Sequence, residues 1–233
     1  MIEFRGVAVS VPVLRAGRLA ESKTLLAGVD LRLGERRVAV VGANGSGKST
    51  LLRLVNGLVE PTSGSVVVNG LDSVADGRKV RSEVGFIFTD PLSQLLMGTA
   101  RDDVELSLRG IVPDKAERRR QATELLAARG LDGVADQSVY DLSGGERQLV
   151  ALTSVLACRP QVVVADEPTT LLDLRNRNLV AEALWGLEQQ VLVATHDLEL
   201  AARADRVLVV DAGRVVADAA ADEAVEHYRR MMS

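Results

Sequence analysis

A continuous apolar run, Arg37-Val38-Ala39-Val40-Val41, ends in Gly42-Ala43-Asn44-Gly45-Ser46-Gly47-Lys48-Ser49 and passes into a helix-like stretch, Thr50–Leu58. Such a run reads as a buried parallel strand, and the octapeptide satisfies G-x-x-x-x-G-K-[ST] without a mismatch. Parallel strands need crossover connections, usually helices, so this segment already commits the chain to a layered α/β fold. The glycines let backbone N–H groups turn inward as an anion nest, and a helix starting near Lys48 adds the positive end of its dipole. Lys48 is placed to reach β- and γ-phosphates, and the Ser49 hydroxyl to ligate Mg²⁺. Gly42, Ala43, Asn44, Gly45, Ser46, Gly47, Lys48, Ser49 and Thr50 are the candidate phosphate-binding residues.

The remaining pattern agrees. Ile2–Val11 and Leu25–Leu33 alternate as strands do, with a loop expected near Arg15–Lys23. Gly64–Asn69 and Val84–Phe88 are further strand candidates, and residues 91–159 are mainly helical, one helix opening at Pro113-Asp114 and closing at Gly130. Strand and helix then alternate: strands at Val162–Ala165, Val191–Thr195 and Val207–Val210, helices at Asn176–Gln189 and Leu198–Ala204. A turn at Asp211–Arg214 leads into Val215-Val216, and Asp222–Met232 reads as a short amphipathic helix. The expectation is one domain over 1–233. A net charge of −4 argues against a broad nucleic-acid-binding face. The single cysteine, Cys158, forms no intrachain disulfide and no cysteine metal cluster, which fits a reducing cytosol. The N-terminus lacks a signal-peptide pattern, and no apolar run approaches the roughly 18 residues that span a bilayer. A membrane role would therefore come through a partner.

Two further constellations bear on chemistry. Asp166 ends the strand Val162–Ala165 and Glu167 follows it. An aspartate there can hold a metal through its waters, and a glutamate one residue on can polarise an attacking water. His196 follows Val191–Thr195, at the carboxyl end of another strand, where sheets of this kind gather binding residues. It can bond a γ-phosphate and orient the water. His227, in the tail, is assigned no role. The third constellation is Leu142-Ser143-Gly144-Gly145-Glu146-Arg147-Gln148, in which Ser143 and Glu146 form a capping box, S-x-x-E, opening a helix. Ser143, Gly144, Gly145 and Glu146 make a second anion cradle of hydroxyl, backbone donors and helix N-terminus.

With these pieces in order, the chain resembles an ABC-transporter ATPase subunit over nearly its whole length. Gly42–Ser49 matches the Walker A motif, Val162–Asp166 Walker B, Leu142–Gln148 the LSGGQ-type signature, Leu171-Leu172-Asp173 the D-loop and His196 the switch histidine. The resemblance implies a P-loop NTPase (RecA-like) parallel sheet core with an N-terminal antiparallel β subdomain and a helical subdomain at about 91–159. It implies ATP and Mg²⁺ as ligands, Ser49 and Asp166 at the metal, and Glu167, His196 and Lys48 as catalytic residues. It also implies a second ABC ATPase chain as partner, in a homodimer or with a related subunit, the signature of each closing over the ATP on the other's Walker A.

The segments Leu54–Leu58, Val84–Pro91, Gln94–Met97 and Asp102–Val104 are similar to those of energy-coupling factor importers of vitamins and metal ions, biotin-type members included. That implies a transmembrane scaffold, a substrate-capture protein and a place on the cytoplasmic face of the membrane. Asp102, Asp103 and Glu105 would offer charge to the scaffold, or simply begin a solvated helix. The rival reading is a soluble ATP switch acting on nucleic acid or other proteins. Two departures stand out. Thr89 stands where these importers carry a glutamine, with Gln94 matching a later one, and Val11 stands where an aromatic usually stacks on adenine, which predicts weaker base selectivity.

Overall fold

The structure, a computed structural model, describes residues 1–15 and 18–233, the side chains of 14–21 lying outside that description. Two long strands, β1 (Ile2–Arg15) and β2 (Arg18–Leu33), pair antiparallel from Ile2↔Leu33 to Arg15↔Arg18. The loop expected near Arg15–Lys23 is therefore mostly strand, apart from 16 and 17, which are not described. Glu21, Ser22 and Lys23 break the hydrophobic alternation, but the backbone ladder continues through them as a two-stranded ribbon. β3 (Arg37–Val41) and α1 (Lys48–Val55) follow, then β4 (Ser63–Val68) and the two-residue β5 (Leu71–Asp72). A short helix, α2 (Gly77–Glu83), precedes β6 (Val84–Ile87). The helical stretch contains α3 (Ala100–Ser107), α4 (Lys115–Ala127) and α5 (Gly144–Ala157). The alternation resumes with β7 (Val162–Asp166), α6 (Leu174–Trp185), β8 (Gln190–Ala194), α7 (Leu198–Ala201), β9 (Arg206–Asp211), β10 (Arg214–Ala219) and α8 (Ala221–Met232). Helix α6 starts earlier than expected because the Asp173 side chain caps it through Asn176 N–H, and it stops at Gly186.

The strands form two sheets, β2-β1-β4-β5, antiparallel, and β10-β9-β3-β8-β7-β6, parallel except for the antiparallel edge strand β10. This is the α/β architecture expected, with β10 entering by the hairpin at Asp211–Arg214. Alternate residues of β3 serve different cores. Val38 and Val40 face a core with Phe4, Leu26, Leu51 and Leu54, which joins the antiparallel sheet to the central one through α1. Ala39 and Val41 face a second core with Leu184, Trp185, Val193 and Ala224. A third core, including Leu95, Val104, Leu126, Leu142 and Val150, belongs to the helical segment. Helix α5 contributes Leu152 and Val155 to the second core and Val150 and Ala151 to the third, so its N-terminus is held from both sides.

Candidate active site

The parallel register brings the candidate residues together. Asp166 lies opposite Ala194, and Val40 opposite the same Ala194, so the carboxyl ends of β7, β8 and β3 are level. The segments leaving those ends carry Glu167, His196 and Gly42–Ser49, which is where open α/β sheets bind ligands.

The glycine-rich loop wraps back on itself before α1. Gly47 adopts φ +115°, and a Cβ there would lie 2.9 Å from the Leu25 carbonyl oxygen, so only glycine lets the loop pass β2 at this point. Lys48 is buried, and its ammonium donates to the carbonyl oxygens of Gly42 at 2.8 Å and Ala43 at 3.2 Å. Its Nζ also lies 3.6 Å from a Glu167 carboxylate oxygen. The Ser46 hydroxyl is buried without a hydrogen-bond partner among the described residues. A buried hydroxyl without a partner is costly, so the loop is shaped for an acceptor from outside the chain.

Ser49 and Asp166 form the second part. The Ser49 hydroxyl donates to Asp166 Oδ1 at 2.8 Å, and the Arg53 guanidinium lies 3.6 Å from Oδ2. Asp166 is only 2% exposed. Burial pushes its carboxyl above the usual range, opposed by the Ser49 hydrogen bond and by Arg53. A hydroxyl beside a buried carboxylate is a hard-oxygen pair suited to Mg²⁺, which commonly takes its other ligands from water and substrate phosphates.

Glu167 completes the site. It adopts φ +52°, uncommon for a residue with a side chain, and its N–H donates to the Ala194 carbonyl at 2.9 Å. One carboxylate oxygen accepts from His196 Nδ1 at 2.7 Å, His196 N–H at 3.3 Å and the Thr170 hydroxyl at 3.3 Å. With Glu167 ionised, that contact places the imidazole proton on Nδ1. Asp197 caps α7 through the N–H groups of Glu199 and Leu200, which fixes the backbone just after His196.

Two clefts open here. One, of about 430 Å³, is lined by Gly42, Ala43, Asn44, Thr89, Glu167, Thr170, His196 and Tyr228. The other, of about 240 Å³, is lined by Lys23, Leu25, Asn44, Gly45, Gly47, Lys48, Ser49, Thr50 and Glu167. Thr89 therefore sits at the cleft, but its hydroxyl donates to the Asp166 carbonyl at 2.8 Å. Gln94 accepts from Phe88 N–H at 3.2 Å, tying down the end of β6. Val11 is exposed opposite Lys23 in the β1–β2 pair. Lys23, Leu25, Thr170 and Tyr228 were not among the sequence candidates. Tyr228 alone carried a usable signal, the i, i+3, i+4, i+7 stripe Ala221, Ala224, Val225, Tyr228 in the tail.

The signature is built as expected and lies elsewhere. Ser143 N–H and Oγ–H both donate to Glu146 Oε2, at 2.8 and 2.7 Å, and Glu146 N–H donates back to Ser143 Oγ at 3.3 Å. These bonds hold the Glu146 carboxyl below the usual glutamate range. A Cβ on Gly145 would run into the Asn176 side chain of α6. Ser143, Gly144, Gly145 and Glu146 line neither phosphate-loop cleft. Asp103 corrects the reading that grouped it with Asp102 and Glu105 as free charge. It is buried and accepts from Leu96 N–H at 2.7 Å, Met97 N–H at 3.1 Å and Ser154 Oγ at 2.7 Å. Glu105 and Asp102 meet Arg118 and Arg119 at 3.6 to 4.0 Å.

Fold and site together define a nucleotide-binding cassette: a glycine-rich loop, a hydroxyl–carboxylate pair, a glutamate–histidine dyad and a separate signature helix. The sequence profile of the ABC transporter family matches residues 26–170, and the chain belongs to that family. It is 44% identical to the biotin transport ATP-binding protein BioM of Rhizobium etli, over 93% of this chain and 96% of that one. It is 36% identical to the energy-coupling factor transporter ATP-binding protein EcfA1 of Bacillus subtilis, over 93% of this chain and 79% of that one. Among solved structures, it superposes on the dimeric ATP-binding cassette MJ0796, in a post-hydrolysis state bound to ADP and Pi, with a TM-score of 0.84 and 29% identity, covering 95% of this chain and 99% of that one.

Proposed function

We propose that this chain is the ATP-hydrolysing subunit of an energy-coupling factor importer, driving uptake of a vitamin or metal ion, biotin being favoured by the likeness to BioM. It works as a pair of ABC chains, and residues 1–233 act as one ATP-binding domain with a helical subdomain at about 91–159. The observation that carries this reading is the division of the site. One chain holds phosphate loop, carboxylates and histidine together, while the residues of its signature cradle line neither cleft. A second copy supplies that cradle.

In hydrolysis, Lys48 exchanges the Gly42 and Ala43 carbonyls for phosphate oxygens, releasing its ammonium to stabilise charge on the γ-phosphoryl group. Ser49 and Asp166 would hold Mg²⁺, which supplies further charge neutralisation. Glu167, fixed by His196 and Thr170, orients the attacking water and takes its proton as the bond to phosphorus forms. Conversion to ADP and phosphate weakens the bridge between the chains and lets them part.

Among the described residues, no helix is long and apolar enough to cross a membrane. The likeness to energy-coupling factor transporter ATP-binding proteins supports contact with the bilayer through a transmembrane scaffold and a substrate-capture protein, with this chain at the cytoplasmic face. The cleft of about 370 Å³ lined by Met97, Asp102, Glu105, Leu106, Arg109, Lys115 and Arg119 is the proposed seat of the scaffold. Co-expression with candidate membrane partners tests it. The reading expects a detergent-stable complex whose ATP hydrolysis drives solute uptake, and loss of that complex on charge reversal at Asp102 and Glu105. Full assembly and transport by the charge-reversed chain would contradict the seat.

A further inference from the structure

Helix α8 lies outside the sequence motifs, yet it reaches the hydrolytic cleft. Its stripe of Ala221, Ala224 and Val225 is buried in the second core, against β9 and β10. The next residue on that stripe is Tyr228, one turn beyond Val225 and more buried than Met231 and Met232, which follow it. It is half-buried, packs on the same core, and forms part of the wall of the cleft that holds Glu167, Thr170 and His196. Among the described residues lining that cleft it is the only phenol. Its hydroxyl makes no hydrogen bond among the described residues, whereas Glu167 and Thr89 are already engaged. Burial pushes the phenol above the usual tyrosine range, and the carboxylates of Asp211, at the end of β9, and Glu167 add to the shift. The phenol therefore keeps its proton at neutral pH and is a donor.

We infer that Tyr228 positions the attacking water, its O–H donating to that water within the cleft it lines together with Glu167 and His196. The inference rests on the ATPase reading of this cleft. A water poised for in-line attack needs one lone pair free toward phosphorus. Its protons go to acceptors such as the Glu167 carboxylate, and its remaining lone pair is free to accept one hydrogen bond. A neutral O–H donor fills that last position without adding charge near the γ-phosphate. Orienting the nucleophile lowers the barrier without changing ground-state nucleotide binding, so the effect belongs in kcat and not in KM. It also makes the C-terminal helix part of the catalytic apparatus.

The test compares Tyr228→Phe with the wild-type chain. Phenylalanine keeps the ring that seats α8 and removes only the O–H. The expected result is a fall in kcat of about tenfold, with KM for ATP and ATP binding at equilibrium within about twofold and an unchanged melting temperature. Tyr228→Leu should lower the melting temperature as well. Wild-type kcat in Tyr228→Phe overturns the inference. So does a loss of kcat matched by equal losses in ATP binding and thermal stability, since that is the signature of a structural role. Absence of hydrolysis in the wild-type chain would overturn the ATPase reading and this inference together, whereas hydrolysis unaffected by Tyr228→Phe overturns the role of Tyr228 alone.

Discussion

Asp103 offers a prediction whose size can be worked from the structure. Its carboxylate, 4% exposed, gathers the Leu96 and Met97 N–H groups and the Ser154 hydroxyl, linking the segment before α3 to the last turn of α5. Asp103→Ala removes all three acceptor contacts. Ser154 is 5% exposed, so its hydroxyl is left in a dry site at about 1–2 kcal/mol. Leu96 and Met97 are exposed, so their amides recover part of the loss from water, at about 0.5–1 kcal/mol each. The sum is about 3 kcal/mol, and for a chain of this size each kcal/mol lowers the melting temperature by about 2–4 °C, or about 6–12 °C in all. Asp103→Asn retains one acceptor oxygen and should lose about half as much. Asp102→Ala is the control, since Asp102 is only half-buried and its contact with Arg119 spans 3.6 Å; it should shift the melting temperature by no more than about 2 °C. Thermal unfolding by circular dichroism reads all three. An Asp103→Ala protein melting within 2 °C of wild type would refute the assignment of Asp103 as a structural carboxylate.

Other expectations follow from the same geometry. Lys48→Ala should weaken ATP binding at least about tenfold in a calorimetric titration, because it removes a buried ammonium from the phosphate loop. GTP should compete with ATP for this chain, since Val11 gives adenine no ring to stack on, and Val11→Tyr should reduce that competition; indifference of ATP hydrolysis to a large excess of GTP would count against the assignment. Glu146 has its folded-state pKa held below the unfolded value, so the capping box contributes fully above the ordinary glutamate range and is lost as pH falls through the lowered value. Amide resonances of Ser143 and Glu146 should therefore keep their neutral-pH positions at pH 5 and move only in more acid solution.

The sequence was most legible where chemistry is local. The octapeptide after β3, the capping box at Ser143 and the acidic pair after β7 each draw their meaning from neighbours a few residues away, and each lies in the expected context. Contacts set by helix phase or by long-range docking were less legible. Asp103 sits in the first turn of α3, where any aspartate favours the helix dipole, and only the packing of α3 on α5 turns it inward. Ile2–Val11 and Leu25–Leu33 were legible as strands, but the distal continuation of the β1–β2 ladder was not, because Glu21, Ser22 and Lys23 break the hydrophobic alternation while the backbone pairing goes on. Tyr228 showed its stripe but not its destination, which depends on how α8 lies across β9 and β10.

In the proposed dimer, two copies complete each other's sites around ATP. The most direct measurement is the mass in solution of the Glu167→Gln protein, which keeps the shape of the glutamate and removes its negative charge. With ATP and Mg²⁺, light scattering after gel filtration should show a shift from monomer to dimer, and the dimer should disappear when ADP replaces ATP. A Glu167→Gln protein that binds ATP tightly yet keeps the same mass with ATP, with ADP and without nucleotide would contradict the account.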